Sequence, residues 1–139
     1  MMFCSYFKHE EAEQFLRFVR ENISLPDVDG VNFDITIDGS YFISESRDVA
    51  VVIIRVVSGD GDKWGFDSIW VAWRKPFSSY FIGKELPSTR DRGYLNITGI
   101  KVETDETVVG KDMRIRITYY STLCPDFCQR CVFTFGEIR

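Results

Sequence analysis

The stretch that decides the fold is "VAVVIIRVV", Val49–Val57. Its apolar residues occupy both phases of the two-residue alternation of a strand, whereas a strand with one side in water alternates apolar and polar residues. A run of this kind is typical of a central strand that is covered on both faces. We therefore predict a sheet whose middle is covered on both sides.

Arg55 is the one charged residue in this run. A buried charge requires a partner, whereas an arginine near a strand end can bury its stem and keep its guanidinium in water. Of these two alternatives we expect the second.

One amphipathic helix precedes the strands. Apolar residues recur at helical spacing over Glu10–Asn22, with acidic residues in the first turn and Arg20 in the last, which suits the helix dipole. Pro26 disfavours helical geometry at Leu25 and predicts that the helix ends before it. We predict a helix over Glu10–Asn22.

The rest of the chain has strand patterns. In "VNFDITI", residues 31–37, apolar and polar residues alternate, and Asp38-Gly39 follows as the two-residue turn of a predicted hairpin. In "YLNITGIKVE", residues 94–103, the apolar phase switches, and a bulge at Gly99 would restore a common inward face. "MRIRITYY", residues 113–120, alternates cleanly.

Together these patterns predict an α+β fold. It has a mostly antiparallel sheet of about six to eight strands with one N-terminal amphipathic helix packed on it. The strand-rich part covers residues 31–138, and the length of 139 residues predicts a single domain over residues 1–139.

The net charge and the hydropathy of the chain indicate which classes of partner are less expected. The 17 Lys and Arg against 21 Asp and Glu give a net charge of −4, so the chain lacks the overall basic field of many nucleic-acid-binding proteins. Its longest aliphatic run is far shorter than the ~20 residues that span a bilayer. The first residues lack the pattern of a secretory signal. We expect a soluble, cytoplasmic protein with no membrane partner.

A cluster of cysteines forms the first candidate site. Cys124, Cys128 and Cys131 lie close together near the end of the sequence, and Cys4 is the fourth cysteine. Thiolates at such spacing converge on one zinc ion in structural metal sites. The candidate zinc ligands are Cys4, Cys124, Cys128 and Cys131, with His9 as the alternative fourth ligand. Disulfides and ordinary reduced thiols fit the same spacing, so all three states remain open.

The second candidate site is the segment Trp73–Tyr94, where cations and aromatic residues interleave. Aromatic rings stack on unpaired bases and cations contact phosphates, so this composition suits single-stranded nucleic acid or another anionic ligand. Three residues on the polar face of the strand predicted for residues 113–120 would extend this surface. The alternative is that these arginines pair with nearby carboxylates. The candidate binding residues are Trp73, Arg74, Lys75, Tyr80, Arg90, Arg92, Arg114, Arg116 and Tyr120.

The sequence contains no phosphate-binding loop, dinucleotide fingerprint, nucleophile elbow or paired-histidine motif, and His9 is its one histidine. We therefore expect a binding or interaction module, with a protein or small ligand as its partner, rather than an enzyme. The first alternative is a nucleic-acid-binding protein, which is less favoured because the basic excess is local. The second is a thiol- or metal-dependent enzyme centred on the cysteines and His9.

Overall fold

Two helices and seven strands make up the described part of the chain. The computed structural model describes residues 6–25, 30, 32–43, 46–59, 65–86, 97–104, 113–121 and 129–138. The elements in chain order are α1 (His9–Asn22), β1 (Phe33–Phe42), β2 (Val49–Ser58), β3 (Gly65–Arg74), β4 (Phe81–Glu85), β5 (Ile97–Thr104), β6 (Arg114–Ser121), β7 (Gln129–Thr134) and α2 (Phe135–Ile138). The predicted α+β fold is confirmed.

The strands form two antiparallel sheets. The four-stranded sheet has the order β1-β2-β3-β4, and the three-stranded sheet has the order β5-β6-β7. Strand β2 lies inside the first sheet, and its side chains point alternately to two different cores. Val49, Val51 and Ile53 pack against the three-stranded sheet, whereas Val52 and Ile54 pack on the side of α1. This confirms the prediction of a central strand covered on both faces.

Helix α1 covers one face of the four-stranded sheet. Its Phe15 and Val19 are completely buried. A row of small residues crosses the sheet under the helix, because Ala50 is paired with Ala72 and Ala72 with Gly83. This row leaves room for the Phe15 ring, and a Cβ added at Gly83 would lie 3.2 Å from its Cε1 atom. In the described part of the chain, neither helix is long and apolar enough to cross a membrane.

The three-stranded sheet covers the opposite face. The alternation predicted for residues 113–120 is confirmed, since Ile115, Ile117 and Tyr119 are buried against the four-stranded sheet. The predicted bulge is confirmed as well, because the register between β5 and β6 shifts between Ile97 and Gly99. The protein therefore has three layers, namely helix, four-stranded sheet and three-stranded sheet.

Two local expectations were wrong. Asp38-Gly39 is not a hairpin turn, because β1 continues through it and pairs with β2 on both sides of a bulge. Asp and Gly suit a bulge as well as a turn, and pairing along the whole of β1 favours the bulge. Strand β4 lies in the segment after Pro76, where the sequence has no clear alternation and no strand was predicted. The strand-rich region ends at Thr134, because Phe135–Ile138 form a helical turn.

The guanidinium of Arg55 was expected to lie in water near a strand end, but the side chain is only 33 % exposed and is paired. The register places Arg55 directly opposite Asp67, whose side chain is completely buried. Nε of Arg55 donates to Oδ1 of Asp67 at 2.9 Å, and Nη2 donates to Oδ2 at 3.1 Å. Arg55 also pairs with Asp38 at 3.0 Å. Oδ2 of Asp67 further accepts the Ile97 N–H at 2.8 Å, so this carboxylate links the two sheets.

We predict that Asp67→Asn lowers the free energy of unfolding by about 2 kcal/mol, because it removes the buried one of the two charges that pair with Arg55 and weakens its hydrogen bonds. The matched control is Asp34→Asn, an exposed carboxylate on β1, for which we expect a change within about 0.5 kcal/mol. Urea denaturation measures both values. Equal midpoints for the two variants would contradict the prediction.

Candidate binding surface at the β3–β4 hairpin

The connection between β3 and β4 is a tight turn with an unusual residue at its third position. The Ser78 N–H donates to the Lys75 carbonyl at 3.1 Å, and the Lys75 N–H donates to the Tyr80 carbonyl at 2.8 Å. Pro76 occupies the second position of this turn, where its fixed φ is favourable. Phe77 occupies the third position with φ +60°, where turns of this kind ordinarily have glycine.

Phe77 is fully exposed. Its relative exposure is 109 %, the highest among the exposed large hydrophobic side chains in the described part of the chain. A left-handed conformation costs a residue with a side chain on the order of 1 kcal/mol or more. Since the ring is not buried, its packing within the fold does not offset that cost. Residues Lys75–Tyr80 are called the hairpin tip below.

A cavity of about 410 Å³ adjoins the hairpin tip. Val49 and Trp73, which are paired across β2 and β3, line it together with Phe135. The rings of Trp73 and Phe135 meet edge to face with centroids 5.8 Å apart. The Phe135 N–H donates to the Met113 carbonyl at 2.8 Å, which holds the start of α2 against the three-stranded sheet. The remaining lining residues are Asp48, Arg74, Lys75, Pro76, Phe77 and Ser78.

A network of charges attaches the hairpin to α1. Glu11, whose side chain is 14 % exposed, pairs with Arg47 at 2.6 Å and with Arg74 at 3.2 Å. Arg74 also donates to the carbonyls of Arg47 and Ser79 and lies over the Phe81 ring, 4.5 Å from its centroid. These contacts hold the hairpin in one position relative to the helix.

The same contacts shift the pKa of Glu11. Burial alone would raise the pKa of this carboxyl, but it is outweighed by the Lys8 N–H, which donates at 2.8 Å, and by Arg47 and Arg74. The pKa of Glu11 therefore lies below its ordinary value of 4.5. Because Lys8 is the N-cap residue of α1, Glu11 stabilises both the start of the helix and the hairpin.

The structure separates the predicted binding residues into two groups. Trp73 is buried and lines the cavity, while Lys75 and Tyr80 are exposed on the hairpin tip. Arg74 faces the layer of α1, because it contacts Glu11. The second group, on β6, points away from the four-stranded sheet, since it alternates with the buried residues of that strand. Arg90 and Arg92 lie outside the described residues. The second group consists of Arg114, Arg116 and Tyr120.

Comparison with protein families, with curated proteins and with solved structures finds no match for this chain. Sequence patterns indicated the segment of the hairpin tip, but they missed that Asp48, Val49 and Phe135 meet it. These residues come together only through strand register and sheet packing.

The cysteine cluster is only partly within the described residues, since Cys4, Cys124 and Cys128 lie outside them. Cys131 has a free thiol that packs against the core between the two sheets. His9 lies on the exposed start of α1, with Nε2 at 3.1 Å from Glu13. No group of three potential metal-binding side chains occurs among the residues that the structure describes. The zinc site stays a prediction.

We predict that Glu11→Gln lowers the free energy of unfolding by about 2 kcal/mol near neutral pH, because it removes the charge that two arginines share. Since the pKa of Glu11 is lower in the folded state, its contribution is fully present well above 4.5 and is lost as the pH falls through the folded-state pKa. The difference from the wild type should therefore shrink in acid. Glu10→Gln, an exposed carboxylate of the same turn, is the control. Equal denaturation midpoints for both variants at neutral pH would refute the role of Glu11.

We also predict slow alkylation of Cys131 by iodoacetamide in the folded protein. Burial raises the pKa of the Cys131 thiol, and the thiolate is the reactive form. Peptide mass spectrometry should find slow labelling near pH 8 and rapid labelling of the same cysteine after unfolding. Labelling of the folded protein at the rate of the unfolded chain would contradict the prediction, and only labelling faster than that rate would favour the thiol-enzyme alternative.

Proposed function

We propose that this protein is a binding module that recognises a segment of another polypeptide with the hairpin tip and the adjoining cavity. The observation that carries this proposal is Phe77, a large apolar side chain that is fully exposed and held in a left-handed conformation. Strain of this kind concentrates at functional sites. An exposed ring beside a cavity is the arrangement of an anchor residue at a protein interface.

The lining of the cavity suggests the chemistry of the partner. Pro76 and Phe77 supply the exposed apolar surface at its rim, whereas Val49, Trp73 and Phe135 form a nearly buried apolar floor. The volume of about 410 Å³ falls in the range of pockets that hold small ligands or side chains. Lys75 is exposed at the edge of the cavity and forms no ion pair with another described residue. We therefore expect the partner to insert an apolar side chain and to place a carboxylate near Lys75.

The support of the hairpin tip favours recognition by a preformed surface. Arg74 is held by Glu11, by Asp48 at 3.4 Å and by the Ser79 carbonyl. A rigid tip loses little conformational entropy when a partner binds. Tyr80, which is 42 % exposed, adds a second ring to the tip.

The proposal predicts that Phe77→Gly makes the protein more stable but weakens its binding to a peptide. Glycine adopts the left-handed conformation without strain, so the free energy of unfolding should rise by about 1 kcal/mol. A random peptide library displayed on phage, selected on the wild-type protein, should yield peptides that bind the variant at least about tenfold more weakly. Fluorescence polarisation of the labelled peptides measures these affinities, and urea denaturation measures the stability.

The control is Val132→Ala, which shortens an exposed apolar side chain on β7 and should leave peptide affinity unchanged. Lys75→Glu should weaken the binding of selected peptides that carry a carboxylate and spare those that do not. Failure of the library to yield any binder, or equal binding of its peptides to the wild type and to Phe77→Gly, would disprove the proposal. The cytoplasmic location remains a prediction from the sequence.

A further inference from the structure

The outer face of the three-stranded sheet is exposed and basic in the described part of the chain. On β6, Arg114, Arg116, Thr118 and Tyr120 alternate with the buried residues and therefore point outward. Residues directly opposite in antiparallel strands share a face, so the register places further side chains beside them. These are Lys101 and Arg130 on either side of Thr118, and Glu103 and Val132 on either side of Arg116.

The sign of the charge on this face is opposite to that of the chain. Among the described residues of the face, Glu103 is the single carboxylate beside four cations, whereas the whole chain has a net charge of −4. Glu103 pairs with Lys101 at 3.8 Å, and both side chains are largely exposed. Such a pair is weak in water. Arg116 and Arg130 form no ion pair with another residue that the structure describes.

The same face has a small depression and a partly exposed aromatic ring, Tyr120. Arg114 and Arg116 line a depression of about 100 Å³ together with Glu103 and Thr104. Tyr120 is 43 % exposed and lies opposite Gly99 of β5. A Cβ at Gly99 would lie 3.7 Å from Cδ2 of Tyr120. The Tyr120 ring therefore lies beside Gly99 while keeping 43 % of its surface exposed.

We propose that this face binds single-stranded nucleic acid. Its cations would contact phosphates and the Tyr120 ring would stack on a base, which is how strands without sequence preference are held. The outward side chains from Arg114 to Tyr120 extend over about 20 Å along β6, given the rise per residue of a strand. The ring favours a nucleic acid over an acidic peptide, because every base offers a face for stacking.

The experiment measures the binding of fluorescein-labelled oligo(dT) to the full chain between about 50 and about 200 mM salt. We expect the wild type to bind with a salt dependence that indicates several phosphate contacts. Arg116→Gln and Arg130→Gln should each weaken binding and reduce the slope of log affinity against log salt by about 0.7, the value for one contact to a single strand. Tyr120→Ala should weaken binding about tenfold and leave the slope unchanged, whereas Tyr120→Phe should bind like the wild type.

The control for net charge is Arg17→Gln, which removes an exposed arginine from α1. It should leave oligo(dT) binding unchanged, and circular dichroism should show that all variants are folded. Three results would overturn the proposal: no binding at about 50 mM salt, the same loss of affinity for Arg17→Gln as for Arg116→Gln, or competition by polyglutamate as strong as by unlabelled oligo(dT). The last result would identify a general polyanion surface or an acidic protein partner.

Discussion

The architecture depends on strand β2, whose two faces are both apolar. A strand of this kind is stable in water only when each face is covered, and a single helix can cover only one. Helix α1 packs on the face that carries Val52 and Ile54, while the three-stranded sheet packs on the face that carries Val51 and Ile53. The three layers follow from this requirement. It also explains why a chain of 139 residues has two separate cores, one on each side of the four-stranded sheet.

Features with a local cause could be predicted from the sequence. The apolar pattern of β2, the helical spacing in α1 and the change of phase at Gly99 all appear in short stretches of the chain. The partners of Arg55 could not be predicted, because Asp67 is placed opposite it by the register of β2 and β3. Asp38-Gly39 was misread because the same two residues suit a turn and a bulge. Strand β4 has little pattern of its own, and its pairing with β3 defines it.

The candidate binding surfaces, too, could be predicted from the sequence only in part. Composition indicated the segment around the hairpin tip and the polar face of β6, because cations and rings are visible in the sequence. Pro76 indicated a turn, but the left-handed conformation of Phe77 and the cavity beside it arise only when β3, β4 and α2 come together. The sequence suggested that these two sets of residues form one continuous basic surface. In the structure they lie in different layers, because Arg74 contacts α1 whereas Arg116 lies on the outer face of the three-stranded sheet.

The row formed by Ala50, Ala72 and Gly83 has a consequence for the evolution of the protein. An added Cβ at Gly83 would lie 2.4 Å from the Val71 carbonyl oxygen, in addition to its approach to the Phe15 ring. A larger residue in the row would therefore push the helix outward or disturb the pairing of β3 with β4. Gly83 is expected to stay glycine, because no change on the helix relieves its contact with the Val71 carbonyl, whereas Ala50, Ala72 and residue 15 can change together. A smaller side chain on the helix would accompany a larger one in the sheet, so that the spacing of the two layers is conserved.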